Sequence, residues 1–74
     1  MKLPNNHKVW EQYIYNKNYY VTSPENDRSR YTVWVGIIEF GDKGKIVKSD
    51  LEKLFTSDNP LKIQEKLKDD YLFK

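Results

Sequence analysis

Cysteine is absent from this 74-residue chain, and histidine occurs once, as His7. The first absence excludes disulfides, thiolate metal sites and a cysteine nucleophile. The second excludes a histidine-based metal cluster and leaves one imidazole for general-base work, in a terminal stretch where a solvated side chain is the ordinary case. Long apolar runs are missing as well. Nothing approaches the roughly 20 apolar residues that span a bilayer, and Met1-Lys2-Leu3-Pro4-Asn5-Asn6 has no secretory h-region. A cytoplasmic location is the expectation. Charge is nearly balanced, with 13 Lys and Arg against 11 Asp and Glu. A dedicated duplex-DNA binder usually carries a stronger basic bias.

What the chain does have is aromatics: six Tyr, three Phe and two Trp. A single domain this small buries only about 60% of its unfolded surface. With no staple available, packed aromatics or a partner subunit must supply the stability. Charge is unevenly placed. Residues 1–37 hold five cations and three acids, including both arginines, whereas residues 38–74 hold eight of each.

Residues 1–7 are polar with one proline and read as a flexible N-terminal arm; residues 8–74 read as one domain. Val9–Tyr15 and Tyr19–Thr22 are rich in aromatic and β-branched residues, which favour strands. Asn16-Lys17-Asn18 between them has turn chemistry, so the two form a hairpin. Ser23–Ser29 is a polar loop. Arg30–Phe40 carries the strongest strand signal. Tyr31, Val33, Val35 and Ile37 alternate with Thr32, Trp34, Gly36, Ile38 and Phe40, and both sets are largely apolar. This predicts a central strand covered at least partly on both faces.

Gly41–Gly44 reads as a turn and Lys45–Lys48 as a short fourth strand. Ser49-Asp50-Leu51-Glu52 matches a capping box and predicts a helix to about Phe55, with Leu51, Leu54 and Phe55 on one face. Asn59-Pro60 predicts the start of a second helix to about Asp70, striped by Ile63, Leu67 and Tyr71. The expected fold is therefore α+β: a three- to four-stranded antiparallel sheet followed by two short C-terminal helices packed on one face.

Few motifs carry chemistry. Glu65, Asp69 and Asp70 are the nearest approach to paired carboxylates, and they fall on a solvated helix. Gly41-Asp42-Lys43-Gly44-Lys45 lacks the Lys-Ser/Thr of a phosphate loop and the oxygen ligands of a calcium loop, so it is an ordinary hairpin turn. No enzyme activity, cofactor or metal is expected.

The remaining candidate is the aromatic sheet. If helices cover the Val33/Val35/Ile37 face, the face bearing Trp34, Thr32 and Gly36 is open, and a tryptophan there suits a partner anchor. The opposing reading makes Trp34 core. The candidate binding set is Trp34 and Thr32, with Tyr13, Tyr15, Tyr20, Lys17, Arg28 and Arg30 around it. The expected function is a small regulatory or inhibitory protein that engages another protein through this face. A nucleic-acid-binding domain using the same aromatics and cations is the alternative, and a homo-oligomeric structural subunit is the third. The Asn/Lys/Tyr-rich composition associates the chain with AT-rich genomes and with the short products of phages and mobile elements.

Two short stretches resemble known families. Tyr13–Tyr20 resembles the first hairpin of the arm-binding domains of phage tyrosine recombinases, three-stranded sheets that lay a face into the DNA groove and end in a helix. Here the third strand is longer and more apolar, and the loop before it carries Glu25 and Asp27. Val33-Trp34-Val35-Gly36 with the later helices resembles small archaeal chromatin proteins with an SH3-like sheet, whose sheets are far richer in lysine. The first resemblance implies DNA contact by a sheet face. No residue role is carried over from either.

Overall fold

The turn chemistry and apolar alternation produce four strands that pair in chain order. The computed structural model describes residues 1–72. β1 (His7–Ile14), β2 (Asn18–Pro24), β3 (Tyr31–Phe40) and β4 (Ile46–Ser57) form one antiparallel meander, β1-β2-β3-β4. One helical segment follows. It opens with a 3-10 turn at Pro60–Lys62, continues as the α-helix α1 (Ile63–Leu67) and closes in a π turn at Lys68–Leu72. Asn59 caps it as expected, its Oδ1 accepting from the Leu61 N–H at 3.0 Å, with Pro60 at the first helical position.

The first of the two expected helices is a strand. Ser49–Phe55 lies inside β4, which pairs with β3 from Tyr31↔Ser57 to Phe40↔Ile46. A capping box stabilises a helix end by about 1 kcal/mol. A ladder along a strand that is apolar on both faces outweighs it, because each paired residue satisfies backbone groups and buries side chains. Leu51 joins the core on one face, whereas Leu54 and Phe55 pack on the other.

The β3–β4 ladder has two irregularities, at Val33/Trp34 and at Glu39/Phe40. Between them Gly36, at φ 149°, pairs with Leu51. A Cβ on Gly36 would sit 2.1 Å from the Asp50 carbonyl oxygen, so only glycine lets the two backbones come this close.

Each sheet face has its own core. On the helix face, Tyr19, Val21, Tyr31 and Val33 pack against Ile63 and Leu67 of α1. The expected helix-covered face of β3 is confirmed at Val33 and Val35, while Ile37 stays exposed. On the arm face, Tyr20, Trp34, Ile38 and Leu51 close around Leu3. The N-terminal segment, expected as a loose arm, here lies on the sheet. The Leu51 N–H donates to the Met1 carbonyl at 2.8 Å, and the Leu3 N–H donates to Ser49 Oγ at 2.9 Å. The Met1 amino group also lies 3.7 Å from the Asp50 carboxylate.

Candidate functional site

Burial of the central strand on both faces redistributes the candidate residues. Trp34 is 3% exposed and Tyr20 is buried with it, while Thr32 is half-buried. The expected open face is thus covered by the arm, and Trp34 is placed as core. Its indole N–H donates to Thr22 Oγ1 at 2.8 Å. That hydroxyl is also 3.0 Å from His7 Nδ1. A hydroxyl that accepts from the indole has its own hydrogen free for Nδ1, which suits neutral His7 with its proton on Nε2. Burial holds the His7 pKa below its ordinary 6.5.

The partly open aromatics lie on the helix face, along β1. α1 is five residues long and packs over β2, β3 and β4, leaving the β1 side of the sheet partly uncovered. Strict alternation would put Trp10 opposite Tyr13. The register shift between Val9 and Glu11 makes Trp10 the extra, bulged residue and turns it to the Tyr13 side. Its N–H donates to the buried Ser23 Oγ at 2.6 Å. The Arg28 guanidinium carbon lies 4.2 Å from the Trp10 ring centroid and Lys8 Nζ lies 4.8 Å from it. Cation–π contacts of this kind contribute about 0.5–1 kcal/mol each at exposed sites.

Arg28 is fixed further by its Nε–H, which donates to Tyr31 Oη at 2.9 Å. The loop before it is ordered by Asp27, whose Oδ1 accepts from the Ser29 N–H at 3.0 Å. Hydrogen bonds from Ser29 lower the Asp27 pKa below the usual carboxylate value. Among the described residues no carboxylate lies within ion-pair distance of Arg28. Arg28 is therefore an exposed cation held by stacking on Trp10 and by the bond to Tyr31.

Tyr13 and Tyr15 extend this strip. Their rings stack at 6.3 Å, and Tyr15 packs against Tyr19 at 6.2 Å. Tyr13 Oη donates to the Glu11 carboxylate. Burial first, then this hydrogen bond and the charge on Glu11, push the Tyr13 pKa up to about 12. Gln64 Nε2 donates to Tyr15 Oη at 3.2 Å, joining the strip to α1.

Of the sequence-derived set, the structure brings together Tyr13, Tyr15 and Arg28, the last through Trp10. It sends Trp34, Tyr20 and Thr32 to the other face, and it leaves Lys17 and Arg30 exposed in connections at opposite ends of β2. Trp10, Lys8 and Tyr31 are the members that sequence reasoning did not select, because the bulge hides Trp10 from any period-2 pattern.

Among the described residues there is no group of three His, Asp or Glu placed to hold a metal ion, and no helix is long and apolar enough to cross a membrane. Comparison with known protein families, with curated proteins and with solved structures gives no match for this chain.

Proposed function

We propose that this is a non-enzymatic binding protein, regulatory or inhibitory in type, that engages a protein partner through the β1 strip centred on Trp10 and Arg28. The observation that carries the reading is the Arg28 guanidinium, stacked on Trp10, tethered to Tyr31 and without an acidic partner among the described residues. Tryptophan, tyrosine and arginine are the residue types enriched in protein–protein hot spots, and here Trp10, Arg28 and Tyr31 are held together. The planar fork then meets a carboxylate bidentately at little further entropic cost.

The same geometry weighs against nucleic acid as the occupant. Base stacking needs open ring faces beside cations that track a backbone. Here Lys8 and Arg28 themselves lie over the Trp10 ring, and Tyr19 and Tyr31 are buried.

The test combines two measurements. Titration with mixed-sequence DNA and RNA at low salt should give no saturable binding; tight binding that falls steeply with log salt would overturn the reading. Affinity capture should retain a protein that is lost from Trp10→Ala and from Arg28→Ala, both still folded by circular dichroism. Capture that ignores both substitutions would count against the strip. Sedimentation at micromolar concentration should show a monomer; a concentration-dependent dimer would favour pairing of copies along the free edge of β1.

A further inference from the structure

On the arm side of β1 a groove of about 830 Å³ runs between the N-terminal arm and the β3–β4 turn. Its apolar lining is Leu3, Val9, Phe40, Ile46 and Val47, and its cations are Lys2, Lys8 and Lys48, with Glu25 the one acid. None of the three lysines is ion-paired among the described residues. Phe40 and Val47 remain 49% and 70% exposed, which is large for apolar side chains in a chain with so few to spare.

We infer that this groove receives a short acidic segment of a partner protein, with an apolar side chain set on the Val47–Phe40 wall and carboxylates on Lys2 and Lys48. Charge complementarity selects the sign. The lining selects the class. Four of its five apolar residues are aliphatic, and of its two aromatic rings, Phe40 and His7, the imidazole is held by Thr22, so bases find little to stack on, whereas a leucine or phenylalanine side chain finds matching surface. The high exposure of the wall leaves a small molecule wet, whereas small-ligand sites cover roughly 70–90% of their occupant. Lys8 also touches the Trp10 ring, so a chain leaving the groove past Lys8 continues toward Arg28. The inference rests on the reading that the partner is a protein. It does not need the Trp10–Arg28 strip to be the main contact.

The experiment is a heteronuclear NMR titration of the ¹⁵N-labelled full chain with a synthetic octapeptide of glutamates carrying two leucines, with anisotropy of the same labelled peptide for affinity. Amide shifts should concentrate in residues 2–9 and 40–49. Lys48→Ala should weaken binding about two- to fivefold, the range for one exposed ion pair, and Val47→Ser should weaken it by a similar factor; neither exposed site should alter the fold. Three results overturn the inference: no saturable shifts, an affinity indifferent to both substitutions, or equal binding of a thymidine oligonucleotide in the same residues. Shifts that map to Trp10, Arg28 and Tyr31 instead would remove the groove and leave the strip. Normal peptide affinity in Arg28→Ala, with partner capture unaffected by that substitution, would remove the strip and leave the groove.

Discussion

The two faces of the sheet are closed by different means. The helix face is covered by a piece of secondary structure that lays Ile63 and Leu67 on Tyr19, Val21, Tyr31 and Val33. The arm face is covered by a segment with no regular structure, which contributes one apolar side chain, Leu3, and holds on through its backbone, which bonds the Leu51 N–H and the Ser49 hydroxyl. Apolar area dominates the first face, beside one bond from the Trp10 N–H to Ser23 Oγ. The second adds a polar chain, Trp34 to Thr22 to His7, and a contact of the Ile38 N–H with Tyr20 Oη at 3.4 Å. The contrast explains where the molecule can bind. A short helix leaves one side of its face uncovered, and that remainder is the Trp10–Tyr15 strip. A narrow arm leaves a channel along its own flank, and that channel is the groove.

The largest expected effect concerns the arm face. Trp34→Ala should cost about 3–5 kcal/mol of unfolding free energy, the range for removing a buried aromatic, measured by urea denaturation. A cost below about 1 kcal/mol would mean that the arm does not cover this face in solution. Next comes the helix face, where Leu67→Ala should cost about 2–5 kcal/mol. A much smaller value would show α1 undocked and the comparison unequal. Leu3→Ala tests the arm itself. One buried leucine predicts a loss at the lower end of the same range, about 2 kcal/mol, and faster hydrogen exchange at the Leu51 amide. An unchanged exchange rate would separate the arm from the arm-face core.

The smallest effect is a pH dependence, again specific to the arm face. The His7 pKa is lowered by burial, so the unfolded chain binds the proton more readily than the native one. Stability is then fully present above the ordinary value of 6.5 and falls as pH drops through and below it. Protonated Nδ1 would donate to Thr22 Oγ1, which already accepts from Trp34, and would displace the threonine hydrogen. Thermal unfolding between pH 7.5 and 5 should show the decline in the native chain and lose it in His7→Gln. A decline of equal size in both would assign it to other groups.

The same contrast separates what was legible in the residues from what was not. Alternation in Tyr31–Phe40 revealed the central strand and its two apolar faces, and Asn59-Pro60 marked the start of the helical segment. Periodicity tells which side chains share a face; it does not tell which face another segment covers. Trp34 was therefore open to both readings, and Leu3, one leucine in a polar stretch, gave no sign that it would decide between them. The Ser49–Glu52 capping box was a sound local signal, but β3 offered Leu51 and Leu54 burial on both sides that no helix could match. Trp10 escaped because a bulge adds one residue and inverts the count. Tyr13, Tyr15 and Arg28 were found because strand propensity and loop charge act locally.

Gly36 has a consequence for how this sheet keeps its alignment. A β-ladder that shifts by one residue turns every side chain to the wrong face, and a chain with apolar residues on both faces of β3 has little hydrophobic penalty to oppose such a shift. At the close approach to Asp50, only a hydrogen atom fits on the β3 residue. Sliding β4 by one position would set Val35 or Ile37 opposite Leu51, where Gly36 now sits, and a Cβ there would collide with the Asp50 carbonyl. The missing methyl group thus works as an index mark: it lets β3 and β4 close fully in one alignment and holds them apart in its neighbours.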